Sequence, residues 1–117
     1  MVSVASLYVP ARGDVVWLDF DPQARHEQAG RRPALVLSTA AYNARSSLEV
    51  CCPVTSQIKG YPFEVPAAPA AGSRLAGVVL ADQVRSLDWR QRNASKMAAV
   101  TPQCVLAVGA KIKLLIP

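Results

Sequence analysis

Residues Glu27–Ser38 read EQAGRRPALVLS: an acid and two adjacent arginines feed into an apolar run. Pro33 has no backbone N–H and biases Arg32 towards extended backbone, while Gly30 permits a turn ahead of it. Ala34, Leu35, Val36 and Leu37 are apolar without alternation. That pattern predicts a strand over Pro33–Ser38 buried on both faces. The charged half then lies on a loop anchored by a rigid strand, a common way to present a site. A guanidinium offers a planar fork of donors suited to phosphate oxygens. Taken alone, however, the stretch reads more simply as a solvated charged loop.

Upstream, Arg12-Gly13-Asp14 reads as a turn, and Val15–Phe20 (VVWLDF) as a strand rich in β-formers. Alternation puts Val15, Trp17 and Asp19 on one face and Val16, Leu18 and Phe20 on the other. Asp21-Pro22 then opens a polar loop over 21–31 that holds the sole histidine, His26. Downstream, 39–46 suits a short helical turn and Leu48–Thr55 a third strand. Pro53 interrupts that strand and predicts an edge or a bulge. Lys59-Gly60 reads as a turn and Tyr61–Val65 as a short strand. PAAPAAGS (66–73) is a loop, because proline and glycine forbid a stable helix there. Leu75–Ala81 is apolar enough for a strand that Asp82-Gln83-Val84 continues or ends. Ser86–Arg92 suits a helical turn inside the most basic local run, Arg85–Lys96.

The C-terminus carries the clearest helix signal. Thr101 can cap it and Pro102 suits its first position. Apolar residues at 105, 106, 108, 112 and 115 approximate one helical face, and Lys111 and Lys113 favour its C-terminal end. Ile112–Ile116 reads alternatively as a last strand. Many short strands with one closing helix predict a mainly β fold, a small and partly open barrel. The length of 117 residues predicts one domain spanning 1–117.

About half the residues are hydrophobic and 18% are charged, so the chain packs a core and is not disordered. The net charge is +5 and nine of the basic residues are arginine. That balance favours a polyanionic partner, either nucleic acid or an acidic protein. Cys51, Cys52 and Cys104 form a poor disulfide framework, and the adjacent pair would point to opposite faces of a strand. Buried, reduced thiols in a cytoplasm are the expectation. One histidine and no Cys-x-x-Cys argue against a metal site. VSVASLYVP lacks a basic leader region, and no apolar run reaches membrane-spanning length.

Metal-free RNA cleavage requires help for the 2′-hydroxyl proton, stabilisation of phosphoryl charge and protonation of the leaving oxygen. An acid, an arginine and a hydroxyl suffice. Glu27 and Arg32 share one loop, and Thr55 ends the third strand in a hydroxyl-rich TSQ. Each has a plain structural reading as well. Thr55 is a β-favouring strand end, Arg31 and Arg32 a solvated pair, His26 an exposed loop residue, and Asp82-Gln83 a strand-end turn. Trp17 and Trp89 read as core, with base stacking open to either ring if exposed.

The longer pattern is more specific. YVPARGDVVWLDFDP (8–22), EQAGRRPALVLS (27–38), YN (42–43), PVTSQIKGYPFEV (53–65), LADQVRSLDWRQRNASK (80–96) and AKIKLLI (110–116) together resemble the MazF/PemK family of toxin endoribonucleases, the MazF branch in particular. The matching segments span nearly the whole chain, in family order. The resemblance implies an SH3-like β-barrel with a C-terminal helix, of the type shared with CcdB, working as a homodimer. It implies sequence-specific, metal-independent cleavage of single-stranded RNA to 2′,3′-cyclic phosphate and 5′-hydroxyl ends, with no cofactor. It also implies a cognate acidic antitoxin of MazE type. By position it makes Arg32, Thr55 and Glu27 the catalytic set. Asp19, Phe20, Arg31, Ser56, Gln57, Lys59 and Gln83 become RNA-binding residues. The chain departs from the pattern at QARHEQAGRRP, with His26 beside Glu27, and in the longer PAAPAAGS loop. Two alternatives share parts of this reading: a gyrase poison of CcdB type, which does not need Glu27, Arg32 and Thr55, and an RNA-binding module that has lost catalysis.

Overall fold

The structure, a computed structural model, describes residues 8–20 and 30–117. Glu27 and His26 lie outside the described residues. In chain order the elements are β1 (Asp14–Asp19), β2 (Arg31–Val36), α1 (Ala40–Ser46), β3 (Leu48–Thr55), β4 (Glu64–Pro66), β5 (Val78–Leu80), a 3-10 turn (Ala81–Gln83), β6 (Arg85–Asp88), β7 (Ser95–Ala99) and α2 (Pro102–Lys113). The strands pair antiparallel in the order β4-β5-β3-β2-β1-β7, and β6 pairs with β3. The result is a β-barrel-like sheet with a C-terminal helix.

Strand β3 is the junction. One edge pairs with β2 over Cys51–Pro53, while the other pairs with β6 over Leu48–Cys51 and with β5 over Val54–Thr55. Pro53 therefore sits neither at an edge nor in a bulge. It occupies the gap where the partner changes, a place where the missing N–H leaves no ladder bond unmade.

Both faces of the central strands are covered, as the apolar run of β2 predicts. On one face Val15, Leu35, Cys52, Val54 and Val79 pack with Cys104 and Val108 of α2. On the other, Val16, Leu18, Ala34, Val36 and Cys51 pack with Leu87 and Trp89. Cys51 and Cys52 thus point to opposite faces, and all three cysteines are free and buried. Burial pushes the Cys52 thiol up to about 12, with the Asp82 carboxylate adding to the rise. It holds Cys51 well above the ordinary thiol range too, helped by Glu49.

Both helices start as their sequences predict. The Thr39 hydroxyl accepts the Tyr42 N–H at 3.3 Å, and the Thr101 hydroxyl accepts the Cys104 N–H at 3.2 Å. The inward face of α2 differs from the expected stripe. Cys104 and Val108 are buried, with Val105 and Ile112 packed beside them. Leu106 and Leu115 are exposed instead, Leu106 because it lies half a turn round from both buried residues. Residues 112 and 113 remain helical, so a last strand over 112–116 is ruled out.

Two local expectations fail for tertiary reasons, and one strand arises where none was expected. The segment Ser86–Arg92 is not a helical turn: Arg85–Asp88 pairs with β3 and buries Leu87, and a turn follows. Strand β7 carries no alternating pattern of its own and exists through pairing with β1. Tyr61–Val65 starts its strand three residues late, because the Glu64 N–H bonds to the Tyr61 carbonyl and makes a turn first.

Two polar side chains are fully buried among the described residues. Asn43 is satisfied: its amide donates to the Pro10 carbonyl at 2.8 Å, and its side-chain oxygen accepts the Ser38 hydroxyl at 2.6 Å. Its backbone carbonyl accepts the Trp89 indole N–H at 2.9 Å. Glu49 has no hydrogen-bond partner for either carboxylate oxygen. Desolvation raises its pKa to about 7, with the nearby Cys51 thiol lowering it and the Asp14 charge raising it. The unfolded chain releases this proton near the usual carboxylate pKa, whereas the folded chain holds it to about 7. Stability should therefore decline as pH rises through that window, and level off above it. Glu49→Gln is expected to remove this decline, which amounts to roughly 2–3 kcal/mol of urea-unfolding free energy between pH 5 and pH 8. A variant with the wild-type slope would show that another group carries it.

Candidate functional site

Register explains how the candidate residues meet. Ala34 of β2 is opposite Pro53 of β3, and continuing that register by two residues sets Arg32 opposite Thr55. Leu18 of β1 is opposite Arg32. Phe20 lies two residues beyond Leu18, and its N–H bonds to the Gly30 carbonyl at 2.6 Å. Period-two alternation then gives Phe20, Arg32 and Thr55 one common face. These residues line an open groove of about 560 Å³, along with Trp17, Ser56, Gln83 and Arg85.

The polar groups of the groove are available to a ligand. Arg32 is exposed. The ion pairs among the described residues, Arg31–Asp19 and Lys96–Asp14, do not engage it. The Thr55 hydroxyl accepts the Gln57 N–H at 3.1 Å, which leaves its own proton free to donate. The Arg85 guanidinium sits 5.5 Å from the centre of the Phe20 ring, a cation–π contact that orients both. A guanidinium, a hydroxyl and a second guanidinium around one cleft suit a phosphodiester, whose charge they can share.

Asp19 and Arg31 do not join them. They sit opposite each other in the β1–β2 ladder, one residue out of phase with Phe20 and Arg32. The Arg31 guanidinium pairs with the Asp19 carboxylate at 3.0 Å, and donates to the Asn93 carbonyl and the Ser95 hydroxyl, each at 2.9 Å. Asn93 donates to the other Asp19 oxygen at 2.8 Å. That hydrogen bond, more than the Arg31 pairing, holds Asp19 below the usual carboxylate range. Arg92 adds a clamp, donating to the carbonyls of Asp19 at 2.9 Å and Phe20 at 2.7 Å. Arg31 and Asp19 thus lock β1, β2 and the β6–β7 turn together. The strand begins at Arg31, two residues earlier than Pro33, so adjacent arginines point to opposite faces.

Ser56 and Gln83 line the groove, and Gln57 and Lys59 line a smaller hollow of about 230 Å³ that adjoins it. Both hollows share Thr55, Leu80 and Gln83. Trp89 is core, at 5% exposure, whereas Trp17 is 37% exposed on the groove wall. Arg85 and Met97 are groove residues that sequence reasoning missed. Arg85 was visible only as part of a basic run, and Met97 lies on the strand with no pattern of its own.

The chain is similar to known proteins along nearly all of its length. A family model described as PemK-like, MazF-like toxin of type II toxin–antitoxin system matches residues 11–116. The chain is 49% identical over 113 residues to the endoribonuclease toxin MazF of Escherichia coli K12, covering 97% of this chain and 99% of that protein. It is 34% identical over 100 residues to the endoribonuclease PemK of Escherichia coli, covering 81% and 72% of the two chains. A crystal structure of MazF from Deinococcus radiodurans superposes with a TM-score of 0.79 at 56% identity, covering 92% of this chain and 96% of that one. A MazE–MazF structure from the same organism gives a TM-score of 0.79 at 49% identity, covering 92% and 95%.

Proposed function

The chain belongs to the PemK-like, MazF-like toxins of type II toxin–antitoxin systems, and on that premise we propose that Arg32 and Thr55 carry its catalysis. It is the endoribonuclease toxin of such a pair, and its partner is an antitoxin of MazE type. A gyrase-poisoning or inactive reading is not favoured, since the full-length relatives are endoribonucleases.

The substrate is single-stranded RNA, cleaved at a short sequence without metal. The 2′-oxygen attacks phosphorus, and its proton passes to the Glu27 carboxylate. The bond to the 5′-oxygen breaks, and that oxygen leaves with a proton donated by the Arg32 guanidinium. The ends are a 2′,3′-cyclic phosphate and a 5′-hydroxyl. Arg32 neutralises the charge that builds on the phosphoryl oxygens, and the Thr55 hydroxyl donates to one of them. Phe20, Ser56, Gln57, Lys59 and Gln83 contact the RNA, while Asp19 and Arg31 hold the groove wall. What supports this reading most is the convergence of the Arg32 guanidinium and the Thr55 hydroxyl in one groove.

The +5 charge suits both RNA and an acidic antitoxin. The toxin acts in the cytoplasm as a single-domain homodimer. The exposed Leu106, Leu114, Leu115 and Ile116 supply apolar surface for a subunit contact.

Incubating the purified toxin with a pool of single-stranded RNA in EDTA is expected to yield discrete cuts at one short motif, with cyclic phosphate ends. Uncut RNA in EDTA that is cut once magnesium is restored would disprove the metal-free chemistry.

A further inference from the structure

Glu49 is the one fully buried acid among the described residues, and neither ion pair found there includes it. It lies on β3 two residues from Cys51, so both face the core layer of Leu87 and Trp89. Leu87 of β6 is directly opposite Glu49 in the ladder, and Arg85 is opposite Cys51. The Cys51 thiol eases the charge of the carboxylate, while Asp14 at the start of β1 opposes it. The Tyr8 hydroxyl donates to Asp14 at 2.8 Å, and the Lys96 ammonium of β7 pairs with Asp14 at 3.5 Å. The Arg85 charge reaches Cys51, but its guanidinium is turned to the Phe20 ring in the groove. Strand β6 itself is held along one edge. It is four residues long, pairs with β3 alone among the described strands, and buries only Leu87.

We propose that Glu49 is a proton-operated latch on β6: neutral, it lets β6 close on β3 and complete the RNA groove, and ionised, it favours release of β6 and weaker RNA binding. The inference rests on the reading that the groove of Arg32 and Thr55 takes RNA. A bare carboxylate in an apolar layer has lost its hydration with nothing in exchange. Water reaches it with least disruption by parting β6 from β3, which frees four residue pairs and leaves the rest of the sheet in place. Arg85 lies on β6 and Gln83 two residues before it, and both line the groove. Arg32 and Thr55 belong to β2 and β3 and stay where they are. Opening therefore weakens RNA binding more than the chemical step. The direction with pH follows from burial. The open form releases the proton near the usual carboxylate value, and the closed form holds it to about 7. Opening grows easier as pH rises between these values and levels off above them.

The first measurement is amide hydrogen exchange of the RNA-free protein, corrected for intrinsic rates. Amides of β6 should exchange faster than those of β2, through local opening. Their protection should fall by up to about ten-fold per pH unit between pH 5 and pH 7. Glu49→Met keeps an apolar core and cannot ionise; it should abolish that dependence, and Glu49→Gln should behave alike. The second measurement is KM for a short single-stranded RNA carrying the cleaved motif. In the wild type it should rise about ten-fold from pH 5 to pH 8, the loss of roughly one charge-assisted contact. In both variants it should lack that rise, while kcat keeps one pH profile in all three proteins. Any contribution of His26 is common to the three. Exchange of β6 at the same rate as β2, or a pH dependence that survives in both variants, overturns the latch. Opening with pH while KM stays flat overturns its link to RNA. The exchange measurement contains no RNA, so a protein that cuts none overturns the nuclease reading and that link together, and exchange still decides the latch.

Discussion

Arg32→Ala should lower kcat/KM for RNA cleavage by at least about 10²–10³-fold, the usual loss when one preorganised donor to a transition-state oxyanion is removed. Stability should move by no more than about 0.5 kcal/mol, since Arg32 is exposed and outside both ion pairs of the described residues. Single-turnover cleavage beside a thermal melt checks both halves. Arg32→Lys keeps the charge but loses the fork of donors, and should fall between the two. Arg31→Ala is the natural control and should behave in the opposite sense. It removes the pairing with Asp19 and the bonds to Asn93 and Ser95, so the melt shifts while the catalytic guanidinium stays. If Arg32→Ala kept wild-type turnover, the catalytic assignment would be wrong.

Gly77→Ala should be the most damaging single substitution near the groove. Gly77 has φ +108, where an L side chain is strained, and an added Cβ would overlap the Thr55 carbonyl oxygen. The neighbour is backbone and cannot rotate away. Relief requires β5 to move off β3 at Val78 and Thr55, the residues that pair there. A cost of about 2–4 kcal/mol is expected, combining backbone strain with a lost ladder contact. The same shift moves Thr55 against Arg32, so cleavage should fall even below the melting transition. Gly72→Ala separates the two effects: its φ is also positive, at +83, but its Cβ meets open space. It should cost about 1 kcal/mol and leave cleavage intact. Equal behaviour of the two variants would show that contact with Thr55 does not matter.

These two predictions also mark where local sequence stops being informative. Arg32 stands out from the chain alone, because Pro33 and the apolar run place it at a strand entrance. The direction of its side chain does not. Only the pairing of β2 with β1 shows that the strand starts at Arg31, and so sends Arg31 and Arg32 to opposite faces. Gly77 looks like an ordinary interruption in LAGVVLA. Its role depends on a carbonyl more than twenty residues earlier in the chain, and no local pattern encodes that neighbour.

The sequence by itself determined the elements whose signals are local. The buried strand β2 follows from its apolar run, β3 from its β-formers up to Thr55, and the start of the C-terminal helix from Thr101 and Pro102. The family likewise follows from short motifs in order along the chain. The tertiary structure alone decided β6 and β7, the partner change at Pro53, the outward turn of Leu106 and the intramolecular use of Asp19 and Arg31. The physical reason is the range of the forces involved. Capping, proline geometry and hydrophobic periodicity act within a few residues. Strand pairing and ion pairing join residues far apart in the chain, and these place Arg85 beside Phe20 and bring Thr55 and Arg32 into one groove.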